Sequence, residues 1–225
     1  METWVFWDEV ARAAEERSIA RHPLVAAVRD GRATREQLRR FAIEHWHMTV
    51  KDAGPYMAQA YIQMLELDPQ GAERLAHNFA EEALGLHTRT AGHDALLLEF
   101  WEQGLGLPRK ELETSTPSPA SRAANAYFWF IASRRVRYVG ALGIGEGGFS
   151  QACEQMLAGL REHQRMPDSA LRFFSGHVEA DREHAETGRE LIARLLSSGV
   201  EQREFLAHAR CMAELYWRGW DSMLA

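Results

Sequence analysis

Cys153 and Cys211 are the only cysteines in 225 residues. Two thiols are too few for a disulfide framework and lack the close spacing of a thiolate metal site, so a reducing, cytoplasmic compartment is expected. The first residues, METWVFWDEVARAAEERS, have no basic stretch leading into an apolar run, which argues against a signal peptide. No apolar run reaches membrane-spanning length either, so no membrane partner is expected. Lys and Arg number 26 against 32 Asp and Glu, and apart from RRVR at 134–137 they are scattered. That excludes the concentrated basic footprint of a nucleic-acid binder. β-Strand alternation is nearly absent, as are internal repeats and low-complexity tracts. A soluble helical protein with a small-molecule partner is what these absences leave.

What is present agrees with that. Apolar residues make up 46% and charged residues 26%, a globular balance. Residues 1–225 are of a length for one core, so a single all-α domain is expected. Thr34 and Gln37 form a capping box after DGRAT and start a helix running to about Leu67. LDPQ at 67–70 opens a second, expected to continue to GLGLP at 104–108. TSTPSPAS at 114–121 is the clearest loop, and a long helical stretch follows from Ala123 to about Glu162. RMPDS and SSGVEQ separate the last two helices.

The stretch HVEADREHAE at 177–186 lies in the first of those two. At roughly 100° per residue, Asp181 and His184 project about 40° and about 20° to either side of His177. All three therefore share the stripe of Ala170, Phe174, Gly188, Leu191 and Leu195. Burying two imidazoles and a carboxylate costs about several kcal/mol unless something pairs with them, and a metal ion would do so.

Further ligands are expected on other helices where polar side chains also interrupt apolar stripes. In NFAEEALGLHTRTAGHDALLLEFW, from Asn78, a continuous helix puts His93 about 20° from Glu82 and Glu81 about 100° away. Gly85 and Gly92 leave open a break, in which case Glu81 or His87 turns inward. Arg89 projects to the Glu82 face as a candidate for a substrate carboxylate. In YVGALGIGEGGFSQ, Glu146 shares a face with Phe128, Val139, Leu142, Phe149 and Cys153. Each glycine around it costs about 1 kcal/mol of helix propensity, which asks for close approach by a neighbouring helix or ligand. Three histidines and three carboxylates without a thiolate suit iron or manganese. Six side chains exceed the needs of one ion and fit two ions sharing a carboxylate. The paired Glu-x-x-His of ferritin-like centres is absent.

HPLVAAVRDGRATREQLRRF at 22–41, the EE…H…GLGL stretch, the Glu146 helix and H-x-x-x-D-x-x-H follow one another along the chain. In that order they resemble the haem-oxygenase-like di-iron oxidases, a branch of the superfamily that holds TenA-type thiaminases, PQQ synthase C and haem oxygenase. The resemblance implies a haem-oxygenase-like bundle of seven helices, usually a homodimer. It implies Glu82, His93, Glu146, His177, Asp181 and His184 as metal ligands, with Glu82 and Glu146 as the catalytic carboxylates. The cofactor it implies is two iron ions cycling between Fe2+ and Fe3+, or an iron–manganese pair, with O2 as co-substrate and an external electron donor. Outcomes in the family include N-oxygenation, oxidative C–C cleavage and 4-aminobenzoate formation from the enzyme's own tyrosine.

Arg89 and RRVR favour an amino acid or amine substrate, with Tyr127 and Cys153 as further pocket candidates. The first helix has no tyrosine, which speaks against self-sacrificing tyrosine chemistry, and EHWH at 44–47 offers a histidine to support the metal site but reads more strongly as a polar helix edge. Three alternatives use the same fold. A metal-independent TenA-type or PQQ-synthase-like enzyme would use Cys153 as nucleophile, a haem protein would use His22 as axial ligand, and a helical interaction protein would have no activity. The first leaves the histidine and carboxylate set unexplained, the second does not require Asp181 or the histidines flanking it, and the third, metal-bound or metal-free, would show no O2 consumption even with iron bound.

Overall fold

The capping box after DGRAT forms: Thr34 Oγ1 accepts from the Gln37 amide at 3.1 Å, and the Gln37 side chain accepts from the Thr34 amide at 3.0 Å. It starts α3 (Arg35–His45), which follows α1 (Thr3–Glu16) and α2 (Pro23–Arg29). The computed structural model describes residues 3–224 apart from His87 and Ile144, and among them there is no strand. A π turn at Trp46–Val50 joins α3 to α4 (Lys51–Leu67), just upstream of Pro55 inside that helix. Wide turns of this kind interrupt the i→i−4 ladder, and proline removes one of its donors. The helix ends at Leu67, as its pattern predicts.

Two expected long helices are broken, the first at glycines and the second from Arg135 on into the glycine cluster. Residues 68–104 form α5 (Pro69–Leu84) and α6 (His93–Glu99), separated by a loop. Gly85 caps α5 in the left-handed region at φ 61°, which favours glycine. A Cβ on Gly85 would lie 2.5 Å from the Ala91 carbonyl oxygen, and one on Gly92 would lie 2.5 Å from that of Ala83, so the loop folds tightly on itself. After α7 (Arg109–Glu113), the stretch expected from Ala123 becomes α8 (Pro119–Arg134), α9 (Gly140–Gly143) and α10 (Glu146–Glu162). Here Gly140 meets α11 (Arg172–Leu195): a Cβ would lie 2.7 Å from Ile192 Cγ1 and 2.8 Å from the Gly188 carbonyl oxygen. Helix approach is thus one compensation for the glycine cluster.

Ser198 and Glu201 form a second capping box and open α12 (Gly199–Asp221). Seven α-helices of 14 residues or more (α1, α4, α5, α8, α10, α11, α12) make the frame of the bundle, and the breaks divide the rest into shorter segments. The buried apolar residues form one cluster reaching from Phe6 to Met223. Its centre is aromatic: Phe41, Phe100, Trp101, Phe173, Phe174 and Trp220 have no exposed surface. Each such side chain contributes about 1.5–3 kcal/mol by leaving water, and together they fix the floor against which α11 presents its polar trio. No described helix is long and apolar enough to cross a membrane.

Candidate metal centre

Helix α11 runs for 24 residues without a break, so its stripe keeps its register. His177, Asp181 and His184 are 5%, 2% and 3% exposed, on the face that also buries Phe174, Leu191 and Leu195. The His177 Nδ1–H donates to the Phe173 carbonyl at 2.7 Å, which fixes the tautomer and leaves Nε2 with a free lone pair. Its ring packs against His93, centroids 4.1 Å apart, and against the edge of Phe149 at 5.1 Å.

The loop between α5 and α6 delivers His93 by a route the helical projection did not contain. His93 is the first residue of α6, and its Nδ1 stands 2.9 Å from Glu82 Oε2 near the end of α5. The same two residues meet as in the continuous projection, but across a chain reversal. Glu81 also turns inward, as the broken-helix alternative allows. It is 2% exposed, accepts from the Thr88 amide at 3.2 Å and hydroxyl at 2.5 Å, and lies 3.6 Å from His93 Nε2. His87 lies outside the described residues.

Glu146 is the first residue of α10, where the helix dipole favours an acid. Its Oε1 is 3.9 Å from His184 Nδ1, which also has Glu82 Oε1 at 3.6 Å and Asp181 Oδ1 at 3.8 Å. All six residues thus converge, drawn from α5, α6, α10 and α11. Glu82, His93 and His177 each offer a ligand atom, and these atoms lie within 4.8 Å of one another. His93 Nε2, Glu146 Oε2 and Asp181 Oδ2 are buried without a hydrogen-bond partner. Buried polar atoms are normally paired, so the orphaned Glu146 and Asp181 oxygens, in the cluster that holds Glu82, His93 and His177, ask for a cation. Nitrogen and oxygen donors without sulfur fit iron or manganese.

Charge is already strained in this cluster. Burial pushes the Glu82 carboxyl up, but His93, His184 and His177 together outweigh it and hold it at about 2. Burial pulls the His93 imidazole down, and Glu82, Glu81 and Asp181 overcome that and raise it to about 10. Burial raises Glu146 and Asp181 and lowers His177. The protonated His93 ring is therefore the local cation among the acids.

Above the cluster opens a cavity of about 810 Å³, including its mouth. Glu82, Glu146, His177 and Asp181 line one part, and Ile19, Val50, Phe128 and Met212 are among its apolar walls. Three further lining residues stand out. His45 stacks between Phe41 and Phe149, at centroid distances of 5.3 and 4.8 Å, and burial lowers its pKa to about 3. Tyr56 and Tyr216 also face the cavity, and burial raises both phenols. EHWH is therefore no polar edge at His45, which is 2% exposed at the start of the π turn. His45 closes α3 on the stripe of the buried Leu38 and Phe41, seven and four residues back, and that helical spacing is the signal that places it inward.

Arg89, Tyr127 and Cys153 do not line this cavity. The helix that would have turned Arg89 inward stops at Leu84, leaving Arg89 exposed in the loop at φ 53°. The Tyr127 hydroxyl pairs with His208 Nδ1 at 2.7 Å. Cys153 is fully buried and its thiol is pushed up, the reverse of an activated nucleophile. His22 uses both ring nitrogens: Nδ1 accepts from the Leu24 amide at 3.2 Å, and Nε2 pairs with Asp221 at 3.2 Å. Neither nitrogen is free for a haem iron.

A family model described as iron-containing redox enzyme matches residues 39–217. The 4-aminobenzoate synthase of Chlamydia trachomatis serovar D is 24% identical over 203 residues, covering 88% of this chain and 83% of that protein. The 4-aminobenzoate synthase of Nitrosomonas europaea is 23% identical over 229 residues, covering 99% and 92%. Among solved structures, a TenA homolog from Pseudomonas syringae pv. tomato superposes with a TM-score of 0.80 at 15% identity, covering 98% of this chain and 91% of that one. A CADD-like protein of unknown function from Nostoc punctiforme gives 0.73 at 21% identity, covering 98% and 97%. At these identities the superpositions establish the haem-oxygenase and TenA-like fold.

Proposed function

This chain belongs to the iron-containing redox enzyme family, and from that premise we propose that it is a di-iron, O2-dependent oxidase of a small amine or amino-acid substrate. The observation that carries this is the meeting of three unpartnered buried ligand atoms with Glu82, His177 and His184 beside an apolar cavity. Glu82, His93, Glu146, His177, Asp181 and His184 would hold two irons, or iron with manganese. Glu82 is preferred to Glu81 because both Glu81 oxygens already accept from Thr88. When bound, the metal pair supplies the electrons that reduce O2 and the oxidising power that is passed to the substrate.

The chain's own part is positioning. The Phe173 carbonyl holds His177 in one tautomer, and the Phe149 and Phe173 rings fix its plane. Gly145 has nothing within 4 Å of where a Cβ would stand, leaving room beside Glu146 for substrate or for carboxylate movement. Apolar walls exclude water from the reacting end. The same reading has the protein working as a homodimer with an external electron donor and producing N-oxygenation or oxidative C–C or C–N cleavage.

Anaerobic titration of metal-free protein with ferrous iron tests it. Uptake of two irons per chain, followed by a transient visible band and rapid O2 consumption on mixing with O2, is the expected result. Absence of stoichiometric uptake would sink the proposal. Uptake at pH 7 should also release protons, because His93 must lose a proton held with a pKa of about 10 before it can coordinate. Apparent affinity should accordingly rise from pH 6 to pH 8, and a flat profile would contradict His93 as a ligand.

A second reading is 4-aminobenzoate formation. Relatives bearing that name favour it, and so do Tyr56 and Tyr216, two cavity tyrosines available where the first helix has none. Iron-loaded protein given reductant and O2 without added substrate would yield 4-aminobenzoate and an altered intact mass at one tyrosine. Unchanged protein mass would remove this reading.

A further inference from the structure

We propose that Arg17 is the carboxylate anchor of the cavity, so that the substrate is an acid with an apolar aliphatic or aromatic body, its carboxylate at the mouth and its oxidised group at the metal floor. The orientation rests on the di-iron reading above; the anchor does not.

Arg17 is the single Lys or Arg among the described residues that line the cavity, whose acids are Glu82, Glu146 and Asp181. Arg17 stands just after the end of α1, beside Ala14, and its side chain is 47% exposed, against 11% for Glu82 and 3% for Asp181. The cavity thus has a guanidinium at its exposed end and its acidic side chains at the buried end.

The guanidinium is held but not used up. Its Nε donates to Glu214 Oε2 at 2.9 Å, while Glu214 Oε1 accepts from Arg218 Nε at 2.8 Å. Two guanidiniums sharing one carboxylate leave a surplus positive charge. The terminal Nη groups of Arg17 donate to no described residue, and the Trp217 ring lies 5.5 Å from the guanidinium carbon, bracing it. A planar pair of free N–H donors is what bidentate carboxylate recognition uses. Between this end and the floor the walls are mainly Ile19, Val50, Ala53, Phe128, Leu142 and Met212, which suit a hydrocarbon body. An ammonium at the mouth would meet the surplus positive charge.

Calorimetric titration with 4-phenylbutyrate, 4-phenylbutanol and 4-phenylbutylamine tests this, on the full chain both metal-free and loaded with ferrous iron under anaerobic conditions. Wild type should bind the acid about tenfold more tightly than the alcohol, and the amine least, in both states. Arg17→Gln should lose about tenfold for the acid and leave the alcohol within about twofold, and Arg17→Lys should fall between, keeping charge but not the fork. Unchanged alcohol binding in Arg17→Gln shows that the variant is folded. If alcohol or amine binds wild type as tightly as the acid, the anchor is wrong. It is also wrong if acid preference needs iron and survives Arg17→Gln, because the carboxylate then sits on the metals. If wild type takes up no iron yet keeps an Arg17-dependent acid preference, the di-iron reading falls and the anchor stands.

Discussion

His177→Ala should bind no more than one iron per chain, lose the iron-dependent rise in melting temperature and consume O2 at the background rate. The imidazole spends its Nδ1 proton on the Phe173 carbonyl, so Nε2 is the atom left to meet a cation, and His177 forms with Glu82 and His93 a trio whose ligand atoms lie within 4.8 Å of one another. Alanine leaves Glu82 and His93 as a pair, and affinity at that position should fall by at least about 100-fold. A ligand at 100 times its Kd stabilises the native state by about 2.7 kcal/mol, or about 5–10 °C in a chain of this size. The measurement is the difference in melting temperature with and without ferrous iron, which separates metal binding from the hole alanine leaves in the core. An equal iron-induced shift in variant and wild type would remove His177 from the centre.

Gly159→Ala is expected to destabilise the fold by about 3 kcal/mol, lowering the melting temperature by about 6–12 °C. Gly159 lies where α10 crosses α2, and a Cβ there would collide with the Val28 carbonyl oxygen and stand 2.7 Å from Arg29 Cα. Both are backbone atoms, so no side chain can swing aside. The helices must separate, carrying with them Glu146 at the head of α10. Gly145→Ala is the matched control: the site has open space and φ −76°, which any residue adopts, and its stability should change by less than about 1 kcal/mol. Thermal melts of both variants decide the matter. A Gly159→Ala melt within about 2 °C of wild type, the shift expected of a surface substitution, would mean that the crossing is looser than the structure has it.

The sequence by itself determined the all-α class, the capping box at Thr34 and the burial of His177, Asp181 and His184. Each depends on local information: a cap is four residues long, and the α11 stripe keeps a 3.6-residue period over 24 unbroken residues. Glu82, His93 and Glu146 were legible as residue types in apolar surroundings, but their geometry was not. Every glycine break resets the helical phase, so the projection ended at Leu84 and began anew at His93 and Glu146. The same reason misdirected Arg89, placed inward by a helix that does not exist there. His45, within EHWH, continues the buried Leu38 and Phe41 stripe of α3, whereas Tyr56 and Tyr216 come to the cavity from helices far apart in the chain. Arg17 carries no periodic signal at all, because it stands in the turn after α1. Only the packing of α1 against α12 brings it to the mouth of a cavity whose floor is built from residues 82–184, and that is a decision of tertiary structure alone.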